Sequence, residues 1–105
     1  MNLRKLLIFI FLLIVLFTLY FFIKFEYTEH KVHSYLISVE NKSDSELTLK
    51  KRLGNLPGDR NYLIEVKEKE KDVVNYYYYD YNHNKVKGEE SLKNGISKEL
   101  KTKPN

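Results

Sequence analysis

The sequence predicts an α+β fold: an N-terminal transmembrane helix, then an amphipathic helix packed on a four-stranded antiparallel meander. Three observations predict it. An apolar run fills residues 6–23, an apolar stripe with helical spacing follows, and apolar residues alternate with polar ones from Leu47 onward. A hydrophobic period that changes from 3.6 to 2 indicates a helix that gives way to a sheet. The roughly 80 residues after position 25 are enough for one small domain.

The apolar run is predicted to cross a membrane once. Backbone polar groups find no partners in hydrocarbon, so the run must be helical, and at about 1.5 Å per residue it covers about 27 Å, close to a bilayer core. Arg4 and Lys5 precede the run, and Lys24 follows it. The bias of basic residues toward the cytoplasm predicts a cytoplasmic N-terminus, with the remaining chain outside the cell membrane.

A cleavable signal peptide is the competing interpretation of this run. Such a peptide needs small residues at its cleavage point. The chain instead leaves the run through bulky residues at positions 20–27, and it contains neither alanine nor the cysteine that a lipoprotein requires. We therefore predict an uncleaved signal anchor over residues 1–25.

A second helix is predicted after the span, over residues 27–40. Its apolar residues recur at positions i, i+3, i+4 and i+7: Val32, Tyr35, Leu36 and Val39. Turn-forming residues at 41–45 end it. The pattern leaves open whether this helix continues directly from the span.

Four strands are predicted in the rest of the chain. The first two contain alternating apolar residues at 47–49 and 62–66, and the third and fourth cover 73–81 and 85–90. Between the first two, Pro57 and Gly58 supply the fixed and the positive φ of a type II turn. These elements place a small extracytoplasmic domain over residues 26–93.

The last twelve residues, 94–105, are predicted to be a flexible tail. They are polar and rich in lysine, and they end in Lys103-Pro104-Asn105. Chain ends without apolar anchors usually fray.

The charge of the chain argues against a nucleic-acid partner. The net charge is +4, but all fourteen acidic residues lie beyond position 25, so the predicted outer part is close to neutral. Binding to phosphate backbones needs a concentrated basic face. The cluster at residues 50–52 is more simply a solvated strand face.

The tyrosine tract at residues 76–81 carries the predicted binding residues, Tyr77, Tyr79 and Tyr81. Side chains alternate along a strand, so these three share one face and Tyr76 and Tyr78 share the other. Exposed flat rings stack on sugars or anchor a protein interface. A row that faces the core would be structural instead, and the pattern does not tell which row faces solvent.

His30 and His33 are the candidate metal ligands, each with a glutamate four residues before it, Glu26 and Glu29. Zinc accepts imidazole and carboxylate ligands. Exposed Glu–His pairs at this spacing also simply stabilise helices, and the turn residue His83 alone is left to complete a ligand set. We predict no cofactor, and a zinc-dependent enzyme is the most remote hypothesis.

Catalytic motifs are missing from the sequence. It contains no cysteine nucleophile, no Gly-x-Ser-x-Gly elbow and no His-Glu-x-x-His. The carboxylates at 65–72 lie in a solvated charged run that gives no cause for shifted pKa values. The protein is predicted not to be an enzyme.

Several motifs follow one another in a characteristic order. After the basic start and single span come KVHSYL at 31–36, LPGD at 56–59, YLIEV at 62–66, and YYYYD at 76–80 leading to KVK at 85–87. In this order they resemble the domain of unknown function 3139 family, short membrane-anchored proteins of Gram-positive bacteria. The likeness covers most of residues 1–91. It implies a membrane anchor with an outer domain, and it transfers no activity and no functional residue.

The composition also points to such a source. Lysine, asparagine, isoleucine and tyrosine are plentiful, alanine and tryptophan are missing, and cysteine is absent. AT-rich codons produce this bias, and low-GC Gram-positive bacteria export many proteins without cysteine.

The sequence therefore predicts an uncharacterised, non-enzymatic, single-span envelope protein. Its small outer domain is expected to bind another envelope protein or a wall polymer through the sheet. The alternative is an immunity-type protein that protects against a membrane-active peptide, since such proteins are often small, basic and single-span.

Overall fold

The computed structural model describes residues 2–105 and contains one long helix and one sheet. The helix, α1, runs over Leu3–Ser38. The strands are β1 (Leu47–Leu53), β2 (Tyr62–Glu68), β3 (Val73–Asp80), β4 (Lys85–Lys93) and β5 (Ile96–Glu99), and short 3₁₀ turns precede β1 and β2. The α+β class predicted from the sequence is confirmed.

α1 is a single uninterrupted helix of 36 residues. The Asn2 side chain caps its start by accepting a hydrogen bond from the Lys5 N–H at 2.9 Å. No proline or glycine interrupts it. After the helix, Asn41 takes a positive φ of 56°, a conformation that asparagine tolerates. The apolar run and the helix predicted after it are therefore one element.

The sheet is an antiparallel meander in the order β1-β2-β3-β4-β5. The four-stranded prediction is wrong by one strand, because β5 pairs with the end of β4 through a hairpin. Asn94 and Gly95 form this turn with φ values of 52° and 78°. Asn-Gly is a strong hairpin signal, but the polar residues of β5, all exposed, show no buried face in the sequence.

The core lies between the second half of α1 and one face of the sheet. The helix contributes Phe25, Val32, Tyr35 and Leu36, and the sheet contributes Ile64, Val66, Tyr77, Tyr79 and Val86. Thr28 is also fully buried, and its hydroxyl is satisfied by donating to the Lys24 carbonyl at 2.8 Å. The helical stripe predicted from the sequence thus contributes three of its residues to this core.

The chain after β5, predicted as part of a flexible tail, returns to the core. Leu100 packs against the core, and the Lys103 N–H donates to the Tyr35 hydroxyl at 2.9 Å. The Asn105 side chain accepts from the Val86 N–H at 2.8 Å and donates to the Val86 carbonyl at 3.1 Å. Asn105 therefore gives Val86 the two hydrogen bonds that a neighbouring strand would give.

Candidate functional site

Tyr77, Tyr79 and Tyr81 face α1. Tyr77 is 4% exposed and Tyr79 is 6% exposed. The Tyr81 hydroxyl lies 3.2 Å from Thr28 Oγ1 and donates to the Lys24 carbonyl at 3.3 Å. Burial raises the pKa of Tyr77 above its ordinary value. Tyr77 and Tyr79, chosen from the sequence as binding residues, are therefore part of the core, and that interpretation is corrected here. Tyr81 packs against the core and is only partly buried.

The inward direction of this row follows from its partners. Tyr77 lies opposite Ile64 in the sheet, and its ring centroid is 6.0 Å from that of Tyr35 on α1. Tyr79 meets the ring of Tyr27 edge to face at 5.8 Å. Edge-to-face pairs at this distance stabilise beyond the area they bury. Contacts with both α1 and the neighbouring strand therefore hold Tyr77 and Tyr79 in the core.

The outward row, Tyr76 and Tyr78, lies half-buried on the face of the sheet that α1 leaves uncovered. The Tyr76 hydroxyl donates to Glu65 Oε1 at 3.1 Å, and Arg52 Nη2 lies 3.4 Å from the other Glu65 oxygen. A groove of about 420 Å³ passes Tyr76, Leu63 and Arg52. Aromatic, apolar and charged groups meet here, so this face suits a partner better than the inward row.

The candidate metal ligands on α1 line a second cleft, between α1 and β1. Lys51 on β1 contacts two of the lining residues: it donates to Glu26 and lies 3.7 Å from Glu29 Oε2. The hydrogen bond to Glu26 raises the pKa of Lys51. His30 lines the cleft as well, and His33 Nε2 lies 2.5 Å from Asp44 Oδ1. The carboxylates of Glu26 and Glu29 are thus neutralised by Lys51.

The part of the chain that the structure describes contains no group of three or more His, Cys, Asp or Glu side chains placed to hold a metal ion. The third histidine, His83, lies apart from the other two. Its Nδ1 is 2.7 Å from Asp80 Oδ2, in the turn between β3 and β4. The fold therefore does not bring His83 to the cleft that His30 and His33 share.

A third cleft, of about 420 Å³, opens where α1 leaves the domain. Tyr20, Ile23, Lys24 and Tyr27 line it from the helix, and Tyr81 lines it from the end of β3. The Lys24 Nζ lies 3.0 Å from Asp59 Oδ1 and 5.0 Å from the centre of the Tyr81 ring. Sequence reasoning missed this cleft. The tyrosines flanking Lys24 were a signal, but the contribution of Tyr81 appears only in the fold.

The first half of α1 lies free of the domain. It is long and apolar enough to cross a membrane, and none of its apolar window is buried in the structure. A helix of this kind near an N-terminus also fits a signal sequence. Length and composition therefore make it compatible with a membrane anchor.

No protein-family model, curated protein sequence or solved structure matches this chain. The resemblance to the domain of unknown function 3139 family therefore stays a prediction.

Proposed function

We propose that this protein is a non-enzymatic, single-span envelope protein of the cell membrane. The first half of α1 crosses the bilayer with its N-terminus in the cytoplasm, and the sheet domain stands outside, directly on the membrane. The observation that supports this is the continuity of α1: one half is apolar and uncovered, and the other half supplies the helical side of the domain core.

The contacts of the helix at the end of the apolar run favour an anchor over a cleaved signal. The rings of Phe21 and Phe25 lie 5.4 and 5.1 Å from the ring of Tyr62 on β2. A cut in this region would remove or sever the helix turn that closes the core. The domain therefore needs the segment that a signal peptidase would process.

The outer face of the sheet is the proposed binding surface, with Tyr76 and Tyr78 in place of the inward row. It is not covered by α1, and it presents aromatic rings beside charged and polar groups. Rings of this kind stack on sugars or anchor protein interfaces. A wall polymer or another envelope protein is the proposed partner.

The topology is tested with single cysteines, since the chain has none of its own. Ser97→Cys places a thiol on exposed β5, and Leu3→Cys places one at the exposed start of α1. Intact cells are treated with a membrane-impermeant maleimide, and the mass of the recovered protein is measured. We expect labelled, full-length, membrane-bound Ser97→Cys, and Leu3→Cys that is labelled only after lysis.

Two results would overturn the topology. Ser97→Cys that reacts only after lysis would place the domain in the cytoplasm. Labelled but shortened protein in the medium would show that the first half of α1 is a cleaved signal.

The binding surface is tested by co-sedimentation of detergent-solubilised protein with purified wall polymer. Replacing both Tyr76 and Tyr78 with serine should reduce the sedimented fraction, because it removes the rings from the uncovered face. Lys69→Gln, in the exposed turn between β2 and β3, is the control. Equal sedimentation of the two variants would reject this face as the polymer site.

A further inference from the structure

The cleft at the exit of α1, lined by Tyr20, Ile23, Lys24, Tyr27 and Tyr81, changes in chemistry along its height. At the lower end, Tyr20 and Ile23 belong to the apolar run and are 61% and 63% exposed. Above them, the rings of Tyr27 and Tyr81 lie 5.8 Å apart. In the proposed orientation the lower end is at the depth of acyl chains. The rings then lie at the headgroup boundary, where tyrosine is enriched.

A cation lies over one of these rings, that of Tyr27. Lys31 Nζ is 5.3 Å from the centre of the Tyr27 ring and 5.8 Å from that of Tyr79. Over residues 2–105, no carboxylate oxygen comes within 4.0 Å of this nitrogen. Lys24, by contrast, is occupied by Asp59 at 3.0 Å. Lys31 does not line the cleft itself, but its ammonium lies over the Tyr27 ring that forms one wall, so it is a cation beside the cleft that a bound anion can meet.

The height of Lys31 suits the phosphate layer of a bilayer. Eight residues separate it from Ile23, so its Cα lies about 12 Å above that residue along the helix axis. Side chains on a helix lean toward its N-terminus, which is the membrane side here. The headgroup layer is about 5 to 8 Å thick, and the long lysine side chain reaches back into it.

We propose that this cleft binds one anionic membrane phospholipid. The acyl chain lies along Tyr20 and Ile23, the glycerol region lies between the rings of Tyr27 and Tyr81, and the phosphate meets Lys31. The apolar floor, the amphipathic walls and the cationic top follow the order of chemistry along a phospholipid. This inference rests on the proposed membrane span.

The cleft is tested as a lipid site by filling it with a larger side chain. The full-length chain is purified in detergent, phosphatidylglycerol is titrated in, and the lipid-bound fraction is measured by native mass spectrometry. Ile23→Trp should lower the apparent affinity about fivefold or more, because the indole occupies the apolar floor. Ile14→Trp is the matched control, since Ile14 is equally exposed on α1 but lies away from the cleft. It should bind as the unmodified chain does.

The headgroup contact is tested by removing one charge. Lys31→Gln should lower the preference for phosphatidylglycerol over phosphatidylcholine about fivefold, whereas Lys50→Gln should leave it unchanged. Lys50 is exposed on β1 and lines no part of the cleft. Circular dichroism of each variant confirms that the domain remains folded.

Equal affinities of Ile23→Trp and Ile14→Trp would overturn the cleft as a lipid site. Equal loss of preference in Lys31→Gln and Lys50→Gln would overturn the assigned phosphate contact. A failure of the proposed membrane span has a separate signature: the unmodified chain would not float with phosphatidylglycerol vesicles at all.

Discussion

The two halves of α1 share one helical backbone but differ in what surrounds them. The large apolar side chains of the first half, from Leu3 to Tyr20, are exposed. In the second half, Thr28, Val32 and Leu36 stand four residues apart on one face and are almost completely buried. The backbone conformation therefore does not determine what each half of the helix packs against. The distribution of apolar side chains around the axis decides it.

The two halves of α1 also differ in their ionisable side chains. Residues 6–19 contain no ionisable side chain, so no side of the helix over these residues prefers water. The second half carries Glu26, Glu29 and Lys31 beside its buried stripe. A helix that is apolar all round needs lipid or a protein core, whereas a helix with one apolar face needs one covering layer.

The largest loss of stability is expected where the second half meets the inward tyrosine row. Tyr79→Ser should lower the free energy of unfolding by about 3 to 5 kcal/mol, because it leaves a large cavity beside Tyr27. Tyr78→Ser on the outer face should cost far less. Urea unfolding of the full-length chain in detergent measures both. Equal losses would mean that the two rows have been assigned to the wrong faces.

The same substitution in each half tests the comparison directly. Leu36→Ala should lower the free energy of unfolding of the domain by about 2 to 5 kcal/mol, because Leu36 is 1% exposed. Leu13→Ala should leave it unchanged, since Leu13 touches no part of the domain core. Both variants should still float with vesicles. A domain destabilised equally by both would show that the halves are not independent.

A smaller loss is expected where β4 meets the chain after β5, the segment that also contacts the second half of α1. A β-carbon at Gly88 would lie 2.3 Å from the Leu100 carbonyl oxygen, so Gly88→Ala must displace this segment. The expected cost is about 1 to 3 kcal/mol, with faster amide exchange at residues 100–103. Ser97→Ala on exposed β5 is the control. Unchanged exchange in Gly88→Ala would contradict the close packing of Leu100.

The smallest effect is a pH dependence confined to the domain. Lys87 Nζ lies 2.6 Å from Asp80 Oδ2 and lowers the pKa of Asp80 below its ordinary value. A lowered folded-state pKa contributes stability above the unfolded value of about 3.9, and acidification through the folded pKa removes it. Unfolding at pH 7 and pH 3 should therefore differ less in Asp80→Asn than in the unmodified chain.

Vesicle flotation is the control for this pH series. It should be the same at both pH values, because the apolar run has no group that titrates between pH 3 and pH 7. A pH dependence that is identical in Asp80→Asn and the unmodified chain would remove Asp80 as its source.

The sequence alone predicted those features of the fold that a single local rule determines. The buried stripe of Val32, Tyr35 and Leu36 followed from helical spacing. The positive φ of Gly58, 70°, followed from its place after Pro57 in a turn. In each case a single local rule determines the answer.

The orientation of the tyrosine tract could not be predicted, because both rows of β3 consist of tyrosine. Only the cross-strand register and the rings of α1 select the inward row, and these are long-range contacts. The cleft at the exit of α1 could not be predicted for the same reason, since it depends on a contact between Tyr81 and Lys24, which are 57 positions apart in the sequence. The alternation within one strand contains neither piece of information.

In the proposed topology, the absence of a break in α1 determines how far this protein extends from the bilayer. From Lys24 to Ser38 the helix rises about 22 Å, and no flexible linker lies between the span and the sheet. If the apolar run is anchored as proposed, the domain therefore does not move through a volume above the membrane as a flexibly tethered domain does. In the proposed topology it stays in a thin layer at the membrane surface, and the proposed partner, a wall polymer or an envelope protein, has to enter that layer to be bound.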